Sequence, residues 1–299
     1  MTKSVFTAIV GRPNVGKSTL INALVGQKVA IVSKKPQTTR NRITGVITKG
    51  DTQFVFTDTP GMHLPKTKLG EYMVRSVNGA VGDVDVAVLV VEPDEYIHPA
   101  EASLLEKLKK QQVPVILAIN KTDVATKEQV AKAIVMYTQD NDFAAVVPLS
   151  ALRQSGVEPV FSEIEKFASE APWYFDSDDY TNQPEREMAA EVIREKLLRL
   201  LDKEVPHGTA VEIDTFDETQ RDDDEKPLIK IAATIHCEKA SHKGIIIGKN
   251  GEMLKRIRQY ARADMEMLFD CRVNITCWVK VDENWRDSNF RLKDFGFKE

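Results

Sequence analysis

The chain has 299 residues, 42% of them hydrophobic, and a formal net charge of −4. That length suits about two domains, and the composition is that of an ordinary soluble globular protein, with no global charge drive toward nucleic acid, so any such binding needs a local basic patch. No apolar run approaches the ~18 residues of a membrane span, the best candidate being broken by Asp85, and the amino terminus carries no signal-peptide pattern, so no integral membrane segment is expected.

In chain order, an apolar run at 5–10 leads into Gly11-Arg12-Pro13-Asn14-Val15-Gly16-Lys17-Ser18, and 18–24 reads as a helix. G-x-x-x-x-G-K-S at a strand-to-helix turn is a phosphate-binding loop. Its backbone N–H groups and the helix N-terminus point at phosphate oxygens. Lys17 is expected to reach the β- and γ-phosphates, and the Ser18 hydroxyl to ligate Mg²⁺. Gly11, Asn14, Val15, Gly16 and Thr19 complete this candidate nucleotide contact.

Further strand patterns follow at 45–48, 54–57, 86–91, 115–119 and 146–149, with helical patterns at 99–110, 127–139 and 157–169. Apolar strands alternating with helices predict an α/β domain with a mostly parallel sheet covered on both faces. Ligands then bind beyond the carboxyl ends of the strands. Asp58-Thr59-Pro60-Gly61 follows one of these strands: Asp58 is placed to hold Mg²⁺ through water, and the Gly61 N–H to contact a γ-phosphate. Asn120-Lys121-Thr122-Asp123 follows another. A carboxylate at Asp123 accepts from both N1–H and the exocyclic amine of guanine, a pair that adenine does not offer. Sites of this kind reject analogues by roughly 10⁴-fold. The Lys121 stem is expected along the base, Asn120 to tie this loop to the phosphate loop, and a backbone N–H of Ser150-Ala151-Leu152 to meet guanine O6.

These ordered segments resemble the translation-factor class of P-loop GTPases, which implies GTP and GDP as ligands. The resemblance adds a second element, Pro36-Gln37-Thr38-Thr39-Arg40, in which Thr38 or Thr39 covers Mg²⁺ and the γ-phosphate; Thr39 is the choice. Two departures stand out. Leu152 occupies a position where many such domains carry Lys. Met62 follows Gly61, where small signalling GTPases carry a Gln that orients water. A thioether cannot do this, so other electrostatics are required. The resemblance implies that Asn14 helps bind K⁺ near the β- and γ-phosphates, where a cation could replace an arginine finger. Lys17, Thr39, Gly61 and Asn14 are accordingly the candidate catalytic residues. A metabolic P-loop kinase would have no use for the 120–123 motif.

Composition changes near Ala171. The acidic, aromatic stretch 172–180 reads as a linker or lid, giving expected boundaries of 1–171 for the first domain, 172–184 for the linker and 185–299 for a smaller α+β domain. Pro184 opens an amphipathic helix bearing Met188, Val192, Ile193, Leu197, Leu200 and Leu201. Alternating strands follow. The first runs through Val211, Ile213 and Thr215; the second has Ile229, Ile231, Ala233, Ile235 and Cys237 on one face; the third has Val273, Ile275, Cys277, Val279 and Val281. The acidic run 222–225 is expected to be a solvated loop. Cys237, Cys271 and Cys277 make no C-x-x-C pair, and their odd count suits buried free thiols in a reducing compartment.

Between the second and third strands lies Ile245-Ile246-Ile247-Gly248-Lys249-Asn250-Gly251, then a helix over 252–269. This resembles the Ile-Gly-x-x-Gly signature of KH domains, with the element order of type II, and implies a clamp on about four single-stranded nucleotides. Lys243, Lys249, Lys255, Arg256, Arg258 and Arg262 oppose a lone acid, Glu252, across 241–262. Candidate RNA contacts are Lys243, Gly248, Lys249, Asn250, Gly251, Lys255, Arg258 and Arg262, and Trp278 could stack on a base.

A GTPase followed by a type II KH domain resembles the Era family along essentially the whole chain. Membership implies a cytoplasmic GTPase that binds the 3′ end of 16S ribosomal RNA during assembly of the 30S subunit, with loose attachment to the membrane surface. The alternative is a GTPase whose second domain docks on protein rather than RNA.

Overall fold

The computed structural model describes residues 1–62, 67–80, 82, 84–219 and 226–297. The acidic run 222–225 and His63 lie outside them. The described chain divides into two compact units, the first within residues 1–182, the second with its body from residue 183 onward.

The first unit runs β1 (Lys3–Val10), α1 (Lys17–Val25), β2 (Ile43–Lys49), β3 (Thr52–Asp58), α2 (Lys68–Ala80), β4 (Val86–Val91), α3 (Pro99–Lys110), β5 (Val115–Ile119), α4 (Lys127–Thr138), β6 (Ala145–Pro148), α5 (Val157–Glu165) and β7 (Ser169–Glu170). Among the described residues these strands make one sheet, ordered β2-β3-β1-β4-β5-β6, with β7 paired to β1. β3, β1, β4, β5 and β6 run parallel, while β2 is antiparallel to β3. Every residue of β4 and β5 is buried, as expected of central parallel strands covered on both faces. Two apolar cores result, one against α1 and α5, the other against α3 and α4. Parallel strands bring their carboxyl ends to one edge, and there the phosphate loop, Asp58, Asn120 and Ser150 emerge.

Residues 172–182 pack along this unit. Buried Gln53 accepts from the Tyr174 and Phe175 N–H groups at 2.8 and 3.1 Å and donates to the Phe175 carbonyl at 2.9 Å. The Tyr174 ring meets Phe6 edge-on at 4.9 Å, and Thr181 bridges to Gly45. A segment that reads as a linker by composition is thus strapped onto β1, β2 and β3 by contacts far apart in sequence.

The second unit runs α6 (Glu185–Leu200), β8 (Thr209–Thr219), β9 (Leu228–Cys237), α7 (Ala240–Ile247), α8 (Glu252–Leu268), β10 (Arg272–Val281) and α9 (Asn289–Asp294). Its sheet is ordered β10-β9-β8, with β10 parallel to β9 and β8 antiparallel. Alternation along β9 and β10 turns one face inward against α6 and α8. β8 departs from the expected alternation: its register shifts between Ile213 and Thr215, a bulge that turns Thr215 outward and lets Phe216 pack on the core. The three cysteines are free and buried. Burial pushes the Cys277 thiol up to about 12. No described helix is long and apolar enough to cross a membrane.

Candidate nucleotide site and nucleic-acid interface

The phosphate loop joins β1 to α1. Gly11 has φ +149°, and a Cβ there would lie 2.4 Å from the Val90 carbonyl oxygen; Gly16 has φ +102°. Both glycines are thus required by conformation and by space. α1 opens at Lys17, so its first-turn N–H groups, which have no partner within the helix, face the loop. Asn14 is exposed, with φ +67°, a left-handed conformation that Asn tolerates.

Lys17 is buried. Its ammonium donates to the carbonyls of Gly11 at 3.1 Å and Arg12 at 2.9 Å. Burial pulls its pKa down to about 8, partly offset by Asp58, while Arg12 lowers it further. Asp58 ends β3, beside Ile9 of β1. The Ser18 hydroxyl donates to Asp58 Oδ2 at 2.7 Å and lies 2.9 Å from Thr39 Oγ1, which itself donates to Asp58 Oδ2 at 3.2 Å. Burial raises the Asp58 pKa against the opposing pull of Lys17 and the two hydroxyls. Buried Asp58 Oδ1 has no hydrogen-bond partner among the described residues. Two hydroxyls and a carboxylate with an unsatisfied oxygen are the hard oxygen donors that suit Mg²⁺.

Gly61 lies against the phosphate loop, where a Cβ would come within 2.7 Å of the Pro13 backbone. The Met62 N–H donates to the Gly11 carbonyl at 3.3 Å, and its side chain packs on the α3–α4 core. Asn120 spans three segments. It donates to the Val15 carbonyl at 2.7 Å and accepts from the Ala151 N–H at 2.9 Å. Asp123 is exposed and takes a 2.7 Å bond from the Ser150 hydroxyl. Leu152 projects outward, 73% exposed.

A polar network under the phosphate loop escaped the sequence reading. Arg12 meets Glu101 at 3.1 Å, Asp94 at 2.5 Å and Glu92 at 3.5 Å. Glu101, buried in α3, also accepts from Tyr137 of α4 at 2.7 Å. His98, for which the sequence suggests no partner, lies 2.9 Å from Asp94. The available signal was the density of acids just after β4, at 92, 94, 95 and 101.

In the second unit, Gly248 has φ +74°, and a Cβ would meet Met253 at 2.7 Å. Gly251 has φ +77° with open space around it. Lys249 and Asn250 are exposed between them. α8 buries Ile257, Ala261 and Met265. From its other side Lys255, Arg258 and Arg262 line a cavity of about 510 Å³ with Gln259 and with Asn274, Ile275 and Thr276 of β10. Trp278, 54% exposed, lies on the face of β10 that carries Asn274 and Thr276. Lys243 stands apart on α7 and does not line the cavity. Among the described residues no group of three or more His, Cys, Asp or Glu side chains is set to hold a metal.

A family described as 50S ribosome-binding GTPase matches residues 6–121, and the KH domain family matches residues 204–286. GTPase Era of Clostridium kluyveri is 48% identical over 298 residues, covering 100% of both chains. GTPase Era of Ruminiclostridium cellulolyticum is 47% identical over 296 residues, covering 99% of this chain and 98% of its own. Two solved structures superimpose over 100% of both chains at TM-score 0.93 and 34% identity: a point variant of Aquifex aeolicus Era bound to GDP.AlF4−, and Era with MgGDPNP and nucleotides 1506–1542 of 16S ribosomal RNA. With these likenesses running end to end through both units, the chain belongs to the Era family of GTPases, a P-loop G domain followed by a KH domain.

Proposed function

We propose that this GTPase uses the GTP state of its first unit to govern how its second unit grips single-stranded RNA at the 3′ end of 16S ribosomal RNA, and that it thereby assists assembly of the 30S subunit. The observation that carries this reading is the full-length likeness to Era held with MgGDPNP and a 16S ribosomal RNA fragment. The basic cavity between α8 and β10 supports it, because Lys255, Arg258 and Arg262 offer the positive groove that a single strand needs.

In this reading Gly11 to Thr19 bind the phosphates, with Lys17 on the β- and γ-oxygens. Ser18, Thr39 and Asp58 hold Mg²⁺, which supplies charge neutralisation at the transferred phosphoryl group. The Gly61 N–H takes the γ-phosphate. Asn120, Lys121, Asp123 and the 150–152 turn read guanine. Met62 cannot orient water, so Asn14, exposed on the loop, is assigned to a K⁺ ion near the β- and γ-phosphates. Hydrolysis should then run faster in K⁺ than in Na⁺ of equal ionic strength, and equal rates would remove that role. The limits read from composition are 1–171, 172–184 and 185–299, with most of the middle segment held on the first unit. The buried free thiols suit the cytoplasm; loose attachment to the membrane surface has only the family resemblance behind it.

The test is the affinity for a short single strand copied from the 3′ end of 16S ribosomal RNA, with GDP and with a non-hydrolysable GTP analogue, across salt. Tighter binding with the analogue, and a log–log salt slope of about −3 for roughly four phosphates, is expected. Changing Lys249 and Asn250 to acids should abolish binding yet spare hydrolysis. Unchanged affinity in that variant would favour docking on protein instead.

A further inference from the structure

We propose that Arg12 and Glu92 are positioning residues that brace the phosphate loop against the guanine-reading loop, so that a side chain in the phosphate half of the site helps set base selectivity. The inference rests on the assignment of Asp123 to guanine given above.

Glu92 stands just past β4, between the two loops. One carboxylate oxygen accepts from Lys121 Nζ at 2.6 Å, and the other lies 3.5 Å from the Arg12 guanidinium. Neither end of this bridge is loose. The Arg12 Nη2 that faces Glu92 also bonds Asp94 at 2.5 Å, and its Nε bonds Glu101 at 3.1 Å, where Glu101 is itself buried and bonded to Tyr137. Arg12 also contributes its backbone carbonyl to the Lys17 ammonium at 2.9 Å. At the other end, Lys121 has φ +63°, a left-handed backbone that a lysine seldom adopts and that its surroundings must maintain. The ion pair with Glu92 is one such restraint, two residues before Asp123.

The chemistry of the parts makes the brace directional. A planar guanidinium spans several carboxylates at fixed angles, which an ammonium on a flexible stem cannot do. Arg12→Lys therefore keeps the charge but loosens the link, and Glu92→Gln keeps the shape but removes the charge shared by Arg12 and Lys121. In either variant the 120–123 loop loses part of its aim while every base-contacting side chain remains. Asn120 ties the same loops through neutral bonds, so the brace adds to an existing link and its removal weakens selectivity without abolishing binding.

The experiment compares affinities for GTP and inosine triphosphate, which keeps N1–H and the 6-oxygen but lacks the exocyclic amine. In both Arg12→Lys and Glu92→Gln the preference for GTP should narrow by about fivefold, at the lower end of measured couplings between sites. The melting temperature without nucleotide should stay near that of the parent protein. A merely structural role would weaken both nucleotides by the same factor, and that result, or an unchanged preference, overturns the proposal. Glu92→Gln is isosteric and partly exposed, so it carries the test if Arg12→Lys fails to fold. Asp123→Asn serves as the control: an unaltered GTP preference there would mean that the base assignment has failed rather than the brace.

Discussion

The side-chain amide of Asn120 fills the space that a side chain on Gly16 would need. A Cβ on Gly16 would sit 2.2 Å from Asn120 Nδ2, and Gly16 has φ +102°. Gly16→Ala therefore meets two penalties, a left-handed backbone and the displacement of an amide that bonds Val15 and Ala151. Strain of this kind costs about 1–3 kcal/mol, and it falls on the nucleotide loops. The expected outcome is a loss of GTP affinity on the order of tenfold, with a smaller fall in melting temperature. Titration calorimetry checks it, and parent-like affinity would refute it.

Lys17 gives a pH dependence with a definite sign. Its pKa is about 8 in the folded chain against the ordinary lysine value of 10.5. Between those values the unfolded chain binds more protons, so this group makes stability rise with pH across that window, and its penalty is fully present below pH 8. A bound triphosphate favours the charged ammonium and raises the pKa again. GTP binding should therefore take up a proton above about pH 8 and little near about pH 6.5, and affinity should fall as pH climbs past 8. Calorimetry in buffers of different ionisation heat measures the uptake; equal uptake at both pH values would count against a desolvated Lys17.

The two glycines of the Gly-x-x-Gly loop are not equivalent. Gly248 combines positive φ with a close approach to Met253, whereas Gly251 has positive φ and open space. Gly248→Ala should destabilise the loop and lower RNA affinity. Gly251→Asn should cost only a few tenths of a kcal/mol, because Asn tolerates the left-handed region. Melting and RNA titration of the full chain would reveal the order, and equal effects would mean that the Met253 contact does not matter.

Gln53 holds the 172–182 strap through its three bonds to residues 174 and 175. Gln53→Ala leaves two N–H groups and a carbonyl without those partners, at a cost of about 2–3 kcal/mol. Limited proteolysis should then cut within 172–182 well before it cuts the parent protein. Identical cleavage rates would show that the aromatic contacts, such as Phe6 with Tyr174, suffice to hold the strap.

Local signals made much of this protein readable. The phosphate loop, the 58–61 turn, the 120–123 motif and the Gly-x-x-Gly loop each join a strand or helix to the next within a few residues, and apolar periodicity marks the elements on either side. The expectation of guanine rests on one carboxylate, and the α/β and α+β character of the two halves follows from the order of periods. Other features depend on which strands become neighbours. The pairing of β3 with β1 sets Asp58 beside the phosphate loop, where it meets the Ser18 and Thr39 hydroxyls. The order β1-β4-β5 places Glu92 between Arg12 and Lys121. Gln53 reaches a segment more than a hundred residues away, and a bulge in β8 exchanges Thr215 for Phe216 at the core. Sequence by itself determined where each loop falls and which functional groups it carries, because a turn's conformation is encoded in the residues that make it. Tertiary structure alone decided which charges share a partner, because that depends on strand order and side-chain reach across the sheet.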